Sequence, residues 1–199
     1  MKRFILLTAI AFVCSAMLSA CSGCKAGKPP KEDAAAVGGL VLERTISADR
    51  EFMFARYDAT GYVWLESQIV LQEAVSAETC DGAIASIVNV FQFTDENGDP
   101  QVILSTYEAG KAHSVPVPIP GFWLGDSPIN DDPVKITFSK AFERLRQANT
   151  ILPDSRCCVL RKPVQPGAFQ HPQYIFGNSK RWVKVDAVTG DVTDGSDYE

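Results

Sequence analysis

Five prolines between residues 116 and 133 limit the regular structure that this chain can form. Proline has no backbone N–H and fixes φ, so neither a long helix nor an interior strand runs through such a stretch. Three glycines, Gly110, Gly121 and Gly125, interrupt the same segment. We therefore expect residues 111–134 to be an extended connector and a candidate domain boundary.

The segment before the connector, residues 39–110, has the composition of a β-rich region. Residues 40–46 and 52–57 are rich in strand formers, and we predict a strand in each. Residues 63–71 alternate in polarity, which predicts an antiparallel strand with one buried face. That face would hold Val63, Leu65, Ile69 and Leu71.

A hairpin is predicted between residues 83–93 and 101–107. The linking sequence is Asp95-Glu96-Asn97-Gly98-Asp99. Asn-Gly is a strong hairpin signal because both residues tolerate positive φ. The first half of the chain is therefore predicted to be a β-meander.

The segment after the connector predicts one helix followed by strands. Thr137 is a suitable helix cap. The apolar residues after it recur at helical spacing along one side, at Phe138, Ala141, Phe142, Leu145 and Ala148. Three strands are expected at 157–161, 173–176 and 181–188, before an acidic tail at 194–199. The predicted class is α+β: mainly antiparallel β with one amphipathic helix packed on the C-terminal sheet.

The N-terminus has the layout of a cleaved signal peptide. Lys2 and Arg3 precede a run of mainly apolar residues that ends at Ala20. This run is shorter than the roughly 20 apolar residues that a spanning helix needs. We expect residues 1–20 to be removed. Residues 21–38, which are small, charged and rich in Pro and Gly, would then form a flexible tether.

The sequence Leu18-Ser19-Ala20-Cys21 resembles the lipobox of bacterial lipoproteins. In that family the cysteine is lipidated and becomes the first residue of the mature chain. The resemblance implies that Cys21 carries acyl chains and anchors the protein to a membrane. It also implies a place in the bacterial cell envelope, at the outer membrane or the periplasmic face. The alternative is an ordinary secretory peptide that leaves Cys21 as a plain thiol.

The charge of the chain bears on its partners. The net charge is −5, and removal of Lys2 and Arg3 with the signal makes the mature chain more acidic. Proteins that bind nucleic acid need clustered Lys and Arg to contact phosphates. We therefore expect no nucleic-acid partner.

Four of the six cysteines remain after Cys14 is removed with the signal and Cys21 is lipidated. In an oxidising compartment, we expect Cys80 to form a disulfide with Cys157 or Cys158. A bond between the adjacent Cys157 and Cys158 would strain the backbone. Adjacent residues of a strand face opposite sides, so one of this pair could instead fill the core. There is no CxxC beyond Cys21–Cys24, so we expect no zinc site.

Catalytic motifs are missing from the sequence. His113 and His171 are its only histidines, and neither belongs to a metal-binding or catalytic motif. We interpret both as solvated loop residues. There is no nucleophile elbow and no glycine-rich phosphate loop. We therefore predict no catalytic, cofactor-binding or metal-binding residue, and a protein that is not an enzyme.

Residues 183–192 read Val-Lys-Val-Asp-Ala-Val-Thr-Gly-Asp-Val. In such a hairpin Asp186 can accept backbone hydrogen bonds, and Gly190 can supply a positive φ. This run resembles the last strand of PepSY and PepSY-like domains, and Tyr174 matches an aromatic residue in their preceding strand. The resemblance implies a helix and three strands over residues 135–193. By analogy, it also implies modulation of an extracytoplasmic peptidase.

Phe122, Trp123 and Leu124 are the candidate residues for partner binding. Apolar residues in a loop rich in Gly and Pro either fill a seam between two parts of a fold or stand exposed for a partner. We expect a non-catalytic binding module that contacts an extracytoplasmic protein through sheet edges or through these residues. The alternative is a structural or envelope-maintenance lipoprotein without a dedicated enzyme target.

Overall fold

The computed structural model describes residues 39–57, 61–123, 127–129, 134–162 and 171–196. These residues form two helices, α1 (Leu42–Tyr57) and α2 (Phe138–Gln147). The strands of the first half are β1 (Val63–Leu71), β2 (Ile84–Thr94), β3 (Pro100–Glu108) and β4 (Ile119–Pro120). Those of the second half are β5 (Cys157–Arg161), β6 (Gln173–Gly177), β7 (Arg181–Asp186) and β8 (Val192–Ser196).

All of these strands belong to one antiparallel sheet, in the order β4-β3-β2-β1-β5-β6-β7-β8. The two halves of the chain meet where β1 pairs with β5, with Ile69 opposite Cys158. The connector contributes β4 to one edge, and β8 lies at the other. The predicted α+β class, with a mainly antiparallel sheet, is confirmed.

Helix α1 corrects the prediction of strands at 40–46 and 52–57. Its buried residues are spaced for a helix, with Leu42, Ile46, Asp49 and Met53 facing inward. Thr45 joins the same side and donates its hydroxyl to the Leu42 carbonyl oxygen, 2.8 Å away. Burial of one helical face against the rest of the fold outweighs the strand propensity of these residues, as tertiary contacts often do.

A β-bulge corrects the prediction of one buried face along β1. The register with β2 shifts between Trp64 and Glu66. An extra residue at such a point reverses the side on which the preceding residues lie. Trp64 therefore shares the main core with Ile69, whereas Leu65 packs on the opposite face of the sheet with Val90.

The hairpin between β2 and β3 follows the prediction closely. Asp95 organises the turn, because its Oδ1 accepts the backbone N–H groups of Asn97 and Asp99 at 2.9 Å each. Gly98 has φ of 87°, a conformation that glycine adopts without steric cost. Gln101 also donates to the Asp95 carboxylate.

Helix α2 has the predicted cap and the predicted buried side. The Thr137 hydroxyl accepts the Lys140 N–H at 3.3 Å. Four predicted residues of the stripe are buried, namely Phe138, Ala141, Phe142 and Leu145. The Phe138 ring contacts the rings of Tyr174 and Phe176, with centroids 6.1 and 6.0 Å apart. The helix ends at Gln147, where Ala148 takes an extended conformation.

The hairpin between β7 and β8 matches the expectation from its sequence. Asp186 Oδ1 accepts the backbone N–H groups of Val188 and Thr189 at 2.8 and 2.9 Å. Gly190 has φ of 80° and donates its N–H to the Asp186 carbonyl oxygen. On β7, Val183 and Val185 are fully buried in the main core.

Candidate functional site

A buried carboxylate, Asp49 on α1, is the centre of a polar cluster between that helix and the sheet. Its side chain is almost fully enclosed. Oδ1 accepts the Ser105 hydroxyl at 2.5 Å and the Tyr107 hydroxyl at 2.7 Å. Oδ2 accepts the Asn89 amide at 2.7 Å. Three donors from β2 and β3 thus converge on one carboxylate, which stabilises its ionised form.

The cluster extends from Asp49 to β1. The Asn89 amide nitrogen also donates to Thr45 at 3.1 Å, and its Oδ1 accepts the Ser67 hydroxyl at 2.6 Å. Ser67 in turn accepts the indole N–H of Trp64 at 3.1 Å. A buried polar group destabilises the fold unless it is hydrogen-bonded. This network supplies hydrogen-bond partners across α1 and three strands.

His113 fastens the start of the connector to this cluster. Its ring stacks on Tyr107, with centroids 4.0 Å apart and planes 10° apart. Its Nε2 lies 3.0 Å from the Ser105 Oγ. Because the single hydroxyl hydrogen of Ser105 is directed to Asp49, His113 must donate from Nε2.

Both histidines lie in loops with solvent access, as expected, but each ring also has a fixed partner. The second histidine, His171, places Nδ1 3.0 Å from Asp186 Oδ2. Gln173 donates to the same oxygen at 3.0 Å. Nothing in the sequence near either histidine identifies these partners, which lie eight and fifteen positions away.

The electrostatics of the Asp49 cluster follow from burial. Loss of solvent raises the pKa of Asp49, although its hydrogen bonds to Ser105, Asn89 and Tyr107 oppose that change. Burial lowers the pKa of His113, against the attraction of Asp49. Burial, together with the nearby carboxylate, raises the pKa of the Tyr107 hydroxyl. The lowered pKa keeps His113 neutral at neutral pH, and the raised pKa means that Asp49 takes up its proton at a higher pH than a free carboxyl does.

Serine, histidine and aspartate lie together here, but not in the order of a catalytic triad. In a triad the histidine lies between the other two and accepts the serine proton. Here Ser105 lies in the middle, donates to Asp49 and is completely buried. A nucleophile must reach its substrate, so this arrangement orients the connector and does not activate Ser105.

The cysteines of the described residues are free thiols. Cys158 is buried in β5 and its neighbour Cys157 is exposed, as expected for adjacent residues of a strand. Cys80 is also buried, and its thiol faces the Glu73 carbonyl oxygen. The pairing of Cys80 with Cys157 or Cys158 stays a prediction, which mass mapping of the unreduced protein would check. Cys21 and Cys24 lie outside the described residues.

The connector carries an exposed apolar row along the β4 edge of the sheet. We define the apolar row as Val115, Val117, Ile119 and Phe122, which are 53%, 71%, 51% and 67% exposed. Among the described residues, six large apolar side chains are this exposed, and four of them belong to the row. An exposed apolar group of this kind marks a contact surface more often than it arises by chance.

The backbone nitrogen of Pro120 faces away from the sheet. Gly121 donates its N–H to the Pro100 carbonyl oxygen, so its backbone groups are directed toward β3. Backbone groups of successive residues in a strand point to opposite edges. Pro120, opposite Gln101, therefore has its nitrogen at the outer edge, where it offers no hydrogen.

The three residues predicted to bind a partner divide between the two predicted alternatives. Trp123 is half-buried and packs on the cluster of Leu65, Val90 and Val102 on the back of the sheet. Its N–H donates to the Gln92 side chain at 2.9 Å. Phe122 is exposed and belongs to the apolar row, and Leu124 lies outside the described residues.

The opposite edge of the sheet, β8, differs in chemistry. It contains neither proline nor lysine. The Asp186 N–H donates to the Asp191 carbonyl oxygen, and Val185 lies opposite Val192. By alternation along the strand, the backbone groups of Val192 and Asp194 are directed outward. The Asp194 side chain accepts from Arg181 at 2.8 Å and from Thr150.

Metal sites and membrane-spanning helices are two further classes of feature that bear on function. The part of the chain that the structure describes contains no group of three His, Cys, Asp or Glu side chains arranged to hold a metal ion. None of its helices is long and apolar enough to cross a membrane. Within that part of the chain, the Asp49 cluster and the two sheet edges are the main features that could serve a function.

Comparisons with known proteins give no relatives. No protein family, no curated protein and no solved structure matches this chain. Its function must therefore be argued from its own residues.

Proposed function

We propose that the protein is a lipid-anchored, non-catalytic binding module of the bacterial cell envelope. Cys21 carries the lipid and residues 21–38 tether the folded body to the membrane. The body binds an extracytoplasmic protein by adding a strand of that partner to the β8 edge. The observation that carries this proposal is the outward direction of the Val192 and Asp194 backbone groups in a strand without proline.

An open sheet edge is a template for another strand. Its unpaired N–H and C=O groups supply main-chain hydrogen bonds to an extended peptide, as in several peptide-recognition domains. The two edges of this sheet are unequal, because Pro120 removes a donor from the β4 edge and β8 keeps its own. The acidic residues of β8 and the following tail favour a partner segment that contains Lys or Arg.

The finer architecture belongs to the same proposal. We infer that α2 packs on β5–β8 as a PepSY-like unit spanning residues 135–193. The contacts of Phe138 with Tyr174 and Phe176 support this arrangement. The resemblance then suggests the class of partner, an extracytoplasmic peptidase whose activity the module modulates.

The test is affinity capture from envelope extract with the unacylated Cys21→Ser chain as bait. Asp194→Pro removes an outward N–H from the β8 edge, and Asp194→Ala serves as its matched control. Both variants lose the contacts of the Asp194 side chain with Arg181 and Thr150, but only the proline variant loses the N–H. We expect a single partner with peptidase activity to bind the wild type and Asp194→Ala and to be lost with Asp194→Pro.

Two results would count against this proposal. Equal capture by both variants, at equal unfolding midpoints, would exclude strand addition at β8. Recovery of peptidoglycan or porins in place of a peptidase would favour the alternative function, a structural lipoprotein that maintains the envelope.

A further inference from the structure

We propose that the apolar row rests on the surface of the lipid bilayer and gives the protein a second membrane contact besides its acyl anchor. The inference deepens the proposed function and rests on its lipid anchor. It assigns one occupant, anionic phospholipid bilayer, to Val115, Val117, Ile119 and Phe122.

Three of the four side chains of the row share one side of the connector. Val115, Val117 and Ile119 occupy alternate positions of an extended segment, and each is more than half exposed. The intervening Pro116 is buried. A residue before proline is restricted to extended conformations, which keeps this alternation in place. Three side chains therefore project from one side, and Phe122 follows them.

The backbone of the row lowers the cost of leaving water. An N–H group that enters the lipid interface without a partner is costly. At Pro116, Pro118 and Pro120 there is no such hydrogen. The same missing donors disfavour a partner strand, whose carbonyl groups would find nothing to accept from at this edge. A lipid interface needs no N–H donors from this edge, and water there still reaches the carbonyl oxygens.

The charge of this segment suits an anionic membrane. Residues 109–123 contain no Asp or Glu, although the chain has 24 of them. Its lysine, Lys111, is paired with Glu108, and His113 is neutral, so the segment itself adds no negative charge. Acidic side chains would be repelled by anionic headgroups, so their absence removes the main electrostatic obstacle in a chain whose net charge is negative.

The tether allows the row to reach the bilayer. Residues 21–38 span at most about 60 Å when fully extended. The radius of gyration of a body of this size is about 15 Å. Anchoring at Cys21 therefore holds every face of the body within reach of the membrane. A contact too weak to bind alone becomes effective at such a high local concentration.

The experiment compares two apolar-to-charged substitutions, Val117→Asp in the row and Ile151→Asp outside it. Val117 is 71% exposed and Ile151 74%, so neither change should alter the unfolding midpoint. The acylated protein is reconstituted in vesicles of phosphatidylethanolamine and phosphatidylglycerol with brominated acyl chains. Tryptophan emission reports proximity to these chains. Trp123 follows the row, whereas Trp64 is buried and Trp182 lies on β7, near the other edge.

We expect quenching of the wild type and Ile151→Asp, and its loss with Val117→Asp. A protein that floats with the vesicles without quenching overturns the inference and leaves the anchor standing. If the protein does not float, the anchor is wrong, and the Cys21→Ser chain with excess vesicles then tests the row alone. Equal quenching of both variants refutes a role for the row. A dimer that Val117→Asp dissociates, in protein that is not quenched, would identify a second copy as the occupant instead.

Discussion

Asp49→Asn is the sharpest test of the buried cluster, because it removes the charge and preserves the shape. The carboxylate accepts three hydrogen bonds, from Ser105, Tyr107 and Asn89. An amide has one acceptor oxygen. With that oxygen toward Ser105 and Tyr107, its NH₂ group faces the NH₂ group of Asn89, and the opposite orientation places it against the two hydroxyls.

The expected cost follows from these contacts. At least one bond to a charged acceptor is lost, worth about 1.5–3 kcal/mol, and the others become weaker neutral bonds. Asp49→Asn also removes the cost of burying a charge, which is evident from the raised pKa of Asp49, and this offsets part of the loss. We therefore expect the free energy of unfolding to fall by about 2 kcal/mol at neutral pH. Urea unfolding followed by tryptophan fluorescence would measure it.

The pH dependence gives a second readout for the same variant. The pKa of Asp49 is raised in the folded state, so the folded chain takes up this proton before the unfolded chain as the pH falls. The cost of the buried charge then disappears between the raised pKa and the unfolded value near 4. The stability gap between the wild type and Asp49→Asn should therefore widen on acidification.

A matched control and a contrary outcome complete this test. Glu51 is exposed on the same helix, and Glu51→Gln should change the unfolding free energy by less than about 0.5 kcal/mol. If Asp49→Asn is as stable as the wild type at neutral pH, the claim that three hydrogen bonds to the carboxylate stabilise the fold is wrong. A gap that does not change with pH would show that Asp49 does not titrate differently in the folded chain.

Four further predictions address the core, the last hairpin and the anchor. Leu145→Ala should lower the unfolding free energy by about 2–5 kcal/mol in urea titrations, because Leu145 is fully buried and leaves a cavity. Gly190→Val should cost more than about 1 kcal/mol by the same assay, since a φ of 80° is strained for a β-branched residue whatever the space around it. Burial acts to raise the pKa of Asp186, but hydrogen bonds from Thr189, Val188, Gln173 and His171 bring it below the usual value. The difference in free energy of unfolding between the wild type and Asp186→Asn should therefore be largest above about pH 4 and decrease below it. Unfolding measured across pH would show this. Cys21→Ser should abolish incorporation of labelled palmitate and move the protein out of the membrane fraction.

The contrast between α2 and α1 shows which helices a sequence reveals. In α2 every inward position is apolar, so the period is visible from Phe138 to Leu145. In α1 the inward positions include Thr45 and Asp49, which interrupt the apolar period. The spacing of Leu42, Ile46, Asp49 and Met53 does fit a helix once Asp49 is counted as buried. Only the partners of Asp49 on the sheet explain why this carboxylate is buried.

The partners of Asp49 are distant in sequence. The register of β1 could not be predicted for the same reason. Asn89, Ser105 and Tyr107 lie 40, 56 and 58 positions from Asp49. Nothing local to any of them indicates that they converge. The bulge after Trp64 is likewise a property of the pairing with β2. The hairpin turns were predictable because Asn97, Gly98 and Gly190 act through their own backbone.

The two proposed contacts lie at opposite edges of one sheet, and this placement connects them. Seven inter-strand spacings of about 4.8 Å separate β4 from β8, or roughly 34 Å. If the apolar row rests on the bilayer, it does so through one face of the sheet near the β4 edge, because strand side chains project from the faces, and β8 lies at the far end of the same sheet. The Asp49 cluster lies between α1 and β1–β3, beside the row, and His113 couples it to the connector. If the row does contact the bilayer, we expect this hydrogen-bonded cluster to set the orientation of the sheet, because it holds the start of the connector in place. Loss of the row contact should therefore weaken capture of the partner in intact membranes but not in detergent extract.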